Sequence, residues 1–180
     1  MKKILLLILL LAVVRAESQE NVRIMTYNLL NYPGNNSTLR QPFYRTIMRN
    51  SDPDIIVVQE MQSDIGMNTF LSTVLNASGN TYSAGTFIDG PDSDNGIFFK
   101  SAKFIFISNT PIHTELRDIN EFKIIHVNYP LDTLRIYSVH LKASTGTANE
   151  QQRAREVDSL SKVRNNLPAG TSYMVVGDFN

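Results

Sequence analysis

The sequence predicts an α+β domain, and three observations carry that prediction. Two strand–helix pairs open the chain, five short strands separated by turn residues rather than helices fill its middle, and a helix followed by a strand closes it. A length of 180 residues with 42% hydrophobic and 19% charged side chains fits one globular domain and excludes a disordered, collagenous or coiled-coil chain.

The first strand is expected at Val22 to Asn28, with Val22, Ile24, Thr26 and Asn28 on one face and Arg23, Met25 and Tyr27 on the other. Asn31 to Ser37, with Pro33, Gly34 and three asparagines, is loop chemistry. Leu39, Phe43 and Ile47 with Tyr44 and Met48 then repeat at helical spacing. Ser51-Asp52-Pro53 breaks that helix, and Asp54 to Glu60 carries four consecutive β-branched residues, the mark of a strand buried on both faces. Ser63 with Asp64 is a suitable cap for a helix whose apolar stripe is Met67, Phe70, Leu71, Val74 and Leu75, closed near Gly79. Thr81 to Phe87, Gly96 to Lys100, Phe104 to Asn109, Phe122 to Val127 and Leu134 to Leu141 read as antiparallel strands. The last helix is expected from Thr147 to Asn166, with Ala154, Val157, Leu160 and Val163 on its inner side, before Pro168-Ala169-Gly170 and a strand at Ser172 to Val176.

Residues 1–16 precede this domain. Lys2 and Lys3, the apolar run Ile4 to Val14 and the small Ala16 after Arg15 follow the grammar of a signal peptide. The run is too short for a stable membrane anchor, so a secreted or periplasmic protein with its domain over 21–180 is expected. Removing Lys2, Lys3 and Arg15 leaves 14 basic residues against 17 acidic ones, a net charge of −3. That balance argues against a protein that grips a phosphate backbone by charge alone, but not against an enzyme that meets phosphate through a cation. The absence of cysteine removes disulfides, thiolate zinc sites and cysteine nucleophiles, so any metal must be held by oxygen or imidazole.

Polar residues collect at strand ends: Tyr27-Asn28, Gln59-Glu60, His140 and Gly177-Asp178-Phe179-Asn180. The two-residue spacing of Asp178 and Asn180 would put both side chains on one face of an extended chain, with Gly177 leaving room beside them. Oxygen ligands of this kind suit Mg²⁺, which takes one or two carboxylates and completes its octahedron with water and phosphate. Glu60 with Asn28 meets that need, Asp178 can orient a water, and His140 can donate to a phosphoryl oxygen, which together give metal-assisted phosphoester hydrolysis. Each residue taken singly has a plainer reading: a solvated strand-end carboxylate for Glu60, a turn residue for Asn28, and a hydrogen-bonded core histidine for His140, His113 or His126. Asp92-Ser93-Asp94-Asn95-Gly96 has its glycine one place early for a calcium loop and Lys103 where the closing acid belongs, so it reads as a turn. The Asn-x-Ser/Thr triplets at Asn35, Asn36 and Asn76 permit glycosylation only in a eukaryotic secretory host.

Taken in order, Met25-Thr26-Tyr27-Asn28, Asp54-Ile55-Ile56-Val57-Val58-Gln59-Glu60, Asn95-Gly96-Ile97-Phe98-Phe99, Tyr137-Ser138-Val139-His140-Leu141 and Gly177-Asp178-Phe179-Asn180 resemble the endonuclease/exonuclease/phosphatase superfamily of deoxyribonucleases, abasic-site endonucleases, sphingomyelinases and inositol-polyphosphate phosphatases. The resemblance implies a four-layer α/β sandwich, two mostly antiparallel sheets packed face to face with helices outside, and Mg²⁺-dependent cleavage of phosphate esters, with Mn²⁺ or Ca²⁺ as alternative ions. It implies Glu60 as the main metal ligand with Asn28 beside it in the metal and phosphate site. Asp178 would position the water, Asn180 would help fix it, and His140 would contact the scissile phosphate. Arg117 falls where deoxyribonuclease-like members carry a phosphate-contacting arginine. The implied substrate is nucleic acid first and a membrane lipid or small phosphoester second, with no protein partner. An inactive fragment or secreted binding module is the rival reading. The family's Ser-Asp-His motif does not occur after Asn180, so the expected domain is incomplete at its C-terminus and its hydrolysis impaired.

Overall fold

A computed structural model describes residues 20–180; the signal peptide expected over 1–16 lies outside them. Among the described residues, eight strands form two sheets of four. The first contains β1 (Ile24–Tyr32), β2 (Ile55–Met61), β3 (Tyr82–Ala84) and β4 (Asp94–Lys100) in the order β1-β2-β4-β3. The second contains β5 (Phe104–Ile112), β6 (Ile119–His126), β7 (Tyr129–His140) and β8 (Tyr173–Asp178) in sequence order. Four of the six strand pairings are antiparallel; β1 with β2 and β7 with β8 are parallel, each joined through a helix.

Three apolar layers follow from strand alternation. Ile55, Val57, Ile97 and Phe99 of the first sheet meet Phe104, Phe122, Ile124 and Ile136 of the second, which is the core between the sheets. The opposite face of the first sheet, through Ile56, Val58 and Phe98, packs on Tyr44 and Met48 of α1 (Ser37–Ser51) and on Met67 and Phe70 of α2 (Asp64–Phe70). A π-helical turn, Leu71–Leu75, continues α2. Tyr137 and Val139 on the outer face of the second sheet take Leu160 of α3 (Thr147–Asn165). Helix, sheet, sheet, helix is therefore the order of layers.

Ile55 to Val58 are wholly buried, as a strand covered on both faces requires, and the Ser63 hydroxyl accepts from the Gly66 N–H at 3.1 Å as the cap of α2. Three expectations need correction. In α1, Leu39 and Phe43 are each 69% exposed, because the helix rests on Tyr44 and Met48 instead. In α3, Ala154 and Val157 are exposed, and the buried side is Glu156 with Leu160. A carboxylate holds that face in place: Glu156 accepts from the Lys142 N–H at 2.9 Å. Finally, β1 does not end at Asn28 but runs on to Tyr32 through a register shift.

Candidate functional site

The core between the sheets changes character along its length. Ile24, Ile55, Val57 and Ile97 fill one end, and the next inward positions on the same strands are Thr26, Asn28, Gln59 and Asn95. On the second sheet Ser138, His140 and Asp178 follow Ile136 and Val176 in the same phase. Alternation thus delivers these polar residues to one end of the sandwich without further instruction.

Glu60 is the exception. It has the parity of Ile56 and Val58, which face the helices, yet its side chain meets Asn28. The register of β2 shifts between Val58 and Met61, and Glu60 stands in left-handed backbone, φ +60°. It is the extra residue of a β-bulge, turned toward the inner face, while Met61 returns to the outer core. Leu30 and Asn31, in the irregular stretch of β1 between Asn28 and Tyr32, also have positive φ, 53° and 51°. Such backbone costs on the order of 1–3 kcal/mol per residue and is held only where the surroundings demand it.

The Asn28 amide donates to Glu60 Oε1 at 2.9 Å and to Asp178 Oδ2 at 3.0 Å, joining carboxylates from the two sheets. Its own oxygen accepts from the Leu30 N–H at 2.9 Å, and the Asn31 N–H donates to Glu60 Oε2 at 2.9 Å. His140, register partner of Asp178 across β7 and β8, is 6% exposed, with Nε2 3.7 Å from Glu60 Oε1 and a buried Nδ1 that has no partner. Burial, and secondarily the Arg117 guanidinium, pushes this imidazole below its ordinary value against the pull of Glu60, Asp178 and Asp92, so it is neutral at pH 7. Arg117 is fixed by Asp92, Nε to Oδ2 at 3.0 Å, and by the Leu141 carbonyl at 3.4 Å.

Asn180 is placed differently from the expectation of a shared extended face. The chain turns after β8, with Asn180 at φ +55°, its N–H on Asp178 Oδ1 at 3.1 Å and its side-chain amide on the Leu141 carbonyl at 2.9 Å. It braces the Asp178 turn rather than lying parallel to it. Gly177 permits the arrangement: at φ +139°, a Cβ there would lie 2.0 Å from the Val139 carbonyl oxygen. Thr26, Asn28, Gln59, Gly177 and Asp178 line a shallow cleft of about 200 Å³. A cavity of about 290 Å³ between α3 and the second sheet, lined by Tyr137, Val139, Leu160 and Val175, holds none of the candidate residues.

His113 and His126 stand apart. The His113 side chain is 81% exposed beside Asp118, and His126 accepts the Asn128 N–H at Nδ1 while packing edge-on against Phe104. Asn76, in one of the glycosylation triplets, uses its side chain to pair with both the N–H and the carbonyl of Tyr82. Asp92 and Asn31 are the residues that sequence reasoning missed. The first reads in the sequence as part of a turn, and the second contributes to the site only its backbone N–H, for which no side-chain signal exists.

No group of three or more histidine and carboxylate side chains suited to a metal occurs among the described residues. Glu60 nevertheless offers hard oxygens on a side chain 17% exposed, beside a second carboxylate, which is the donor set of an ion that takes one or two protein carboxylates.

The model of the Endonuclease/Exonuclease/phosphatase family matches residues 25–180. No curated protein matches the sequence. Among solved structures, D. rerio TDP2 humanized by 14 mutations superposes with a TM-score of 0.67 at 16% identity, over 88% of this chain and 66% of that one. D. rerio TDP2 complexed with a single-strand DNA product gives 0.66 at 15% identity, over 88% and 60%. The Bacteroides thetaiotaomicron mannosyl-6-phosphatase Bt3783 gives 0.64 at 18%, over 89% and 66%. The chain spans less than two thirds of the length of each of these structures, and at such identities the likeness shows the fold alone.

Proposed function

The chain belongs to the endonuclease/exonuclease/phosphatase family, and from that premise we propose that it is an exported, divalent-metal-dependent phosphodiesterase acting first on nucleic acid. The observation that carries this reading is the Asn28 amide held between Glu60 and Asp178, which brings acidic groups from two sheets to one cleft. Export rests on the charged and apolar pattern of residues 1–16. A nucleic-acid substrate is supported by Arg117 beside His140, and by the fold neighbour bound to a DNA product.

Glu60 would hold the ion, Mg²⁺ in the first instance, with Asn28 at its side. When bound, such an ion supplies positive charge to a phosphoryl oxygen and acidity to water. The remaining work falls to the chain. Asp178 is a carboxylate acceptor at the cleft, able to orient an attacking water and take its proton. His140 is neutral, so one ring nitrogen donates while the other accepts, and Nε2, which faces Glu60 at 3.7 Å, is the nitrogen placed to donate to a phosphoryl oxygen. Asp92 and the Leu141 carbonyl hold Arg117 beside that position as a fixed positive charge. Asn180 keeps the Asp178 turn closed.

The test is hydrolysis by the full-length gene product of supercoiled DNA, sphingomyelin and a sugar phosphate, each with Mg²⁺ and with chelator. Chelator-sensitive nicking of DNA is expected. Turnover of the lipid or the sugar phosphate alone would move the substrate and keep the chemistry. A folded protein that turns over none of the three would refute the enzyme reading and leave a binding module.

A further inference from the structure

Behind the cleft runs a chain of hydrogen bonds that the proposed reaction does not use. The Thr26 hydroxyl donates to Gln59 Oε1 at 3.2 Å, and Gln59 Nε2 donates to Ser138 Oγ at 3.2 Å. Ser138 Oγ donates to Asn95 Oδ1 at 2.9 Å, and Asn95 Nδ2 donates to Asn120 Oδ1 at 2.9 Å and to the Asp118 carbonyl at 3.0 Å. Asn120 Nδ2 then donates to Asn109 Oδ1 at 2.9 Å, and Asn109 Nδ2 to the Thr86 carbonyl at 3.0 Å.

Three features set this chain apart from ordinary satisfaction of buried polar groups. Its middle members are closed off from solvent: Gln59 is 1% exposed, Asn95 1%, Asn120 2% and Ser138 0%. Every member passes a donor to the next acceptor in one direction, so each bond polarises its neighbour. The chain also crosses between the sheets three times, from β2 to β7, from β7 to β4 and from β4 to β6. Apolar contacts between sheets tolerate sliding, because burial is non-directional. A hydrogen bond fails within a few tenths of an ångström or a few tens of degrees.

The ends of the crossings adjoin the site. Gln59 directly precedes Glu60 on the first sheet, and Ser138 stands two residues before His140, the register partner of Asp178, on the second. We propose that Gln59, Ser138, Asn95 and Asn120 are positioning residues, a register lock that fixes one sheet against the other so that Glu60 and Asp178 fall within reach of the same Asn28 amide. Gln59 also lines the cleft, but among the described residues none of the four hydrogen-bonds through its side chain to Asn28, Glu60, Asp178 or His140. The proposal rests on the reading of Asn28, Glu60 and Asp178 as the reacting site, but its consequence is geometric and is read without substrate or metal.

The experiment follows the two side-chain amide protons of Asn28 by NMR in the full chain: the bond to Asp178 joins the two sheets and is kept only while they hold their register, whereas the bond to Glu60 lies within the first sheet. Ser138→Ala removes the central hydroxyl. Gln59→Met breaks the same crossing at nearly constant volume and serves where Ser138→Ala does not fold. Ile136→Ala, in the apolar core two residues from Ser138, is the control for loss of stability without loss of the chain. The expected result is that exchange of the Asn28 amide proton bonded to Asp178 accelerates about tenfold or more in Ser138→Ala and Gln59→Met and stays near wild type in Ile136→Ala, at matched distance below the melting temperature. Equal acceleration in the control, unchanged rates in both network variants, or unprotected amide protons in the wild type would each overturn the proposal. Protected protons in a wild type that hydrolyses no phosphoester would refute the proposed function and leave the register lock standing.

Discussion

Replacing Asp94 by asparagine should stabilise the protein at neutral pH and not at pH 4. Asp94 is 5% exposed, its Oδ2 has no partner, and Asp89, Asp92 and Asp118 lie close enough to repel it. Burial first, and then these three carboxylates, push its carboxyl from 3.8 to about 6, although the Gly90 N–H on Oδ1 at 2.9 Å pulls the other way. A carboxyl whose folded value lies above its unfolded one is bound by a proton more tightly in the folded state. Stability therefore falls as pH rises from about 4 to about 6, and the loss is complete above that window. At 1.36 kcal/mol for each tenfold change in proton affinity, the ceiling is about 3 kcal/mol at pH 7.5. Asparagine keeps the acceptor for Gly90 and removes the charge, but its new N–H donors need partners, and the cost of finding them is set against the gain. A net gain of about 1–2 kcal/mol is expected, or about 2–8 °C in melting temperature for a chain of this size. Thermal melts of both proteins from pH 4 to 7.5 decide the matter: the curves should diverge across the window. Parallel curves, or a gain as large at pH 4 as at pH 7.5, would show that Asp94 is ionised without penalty.

Gly177→Ala should cost about 3 kcal/mol or more, since the added carbon meets the Val139 carbonyl in backbone that disfavours any side chain, and a urea titration measures it. Asn28→Ala leaves Glu60 and Asp178 without their shared donor and should weaken Mn²⁺ binding about 10–100-fold by calorimetry, with little change in helix content by circular dichroism. His140→Gln should lower kcat on a phosphodiester about 10²–10⁴-fold and KM hardly at all, because the hydrogen bond the imidazole donates to a phosphoryl oxygen gains strength as charge develops in the transition state. Ser63→Ala removes the cap of α2 and should lower stability by about 1 kcal/mol while leaving activity intact.

Much of the architecture was legible because alternation and helical spacing are local. The buried run Ile55 to Val58, the Ser63 cap and the antiparallel middle strands needed only neighbouring residues to be read. Helix faces were less legible. Leu39, Phe43 and Val157 have the hydropathy of core residues, but whether a helix presents them to a sheet depends on how the whole helix is rotated about its axis, which its own sequence leaves undetermined.

The sequence by itself determined that Glu60, His140, Asp178 and Asn180 stand at or just beyond strand ends, that Asn28 shares a strand face with Ile24 and Thr26, and that a cysteine-free chain must work with oxygen and imidazole. Only the tertiary structure decided how they meet. Period-two reading sets Glu60 toward the helices, and a bulge with left-handed backbone turns it to Asn28. Extended spacing sets Asn180 beside Asp178, and a turn sends it to the Leu141 carbonyl. The ion pair of Asp92 with Arg117 joins residues 25 apart, and the Asn28 amide bridges carboxylates 118 positions apart in the chain. Residues so distant have no local rule relating them; their meeting depends on the stacking of two sheets, and that stacking is a property of the packed core as a whole.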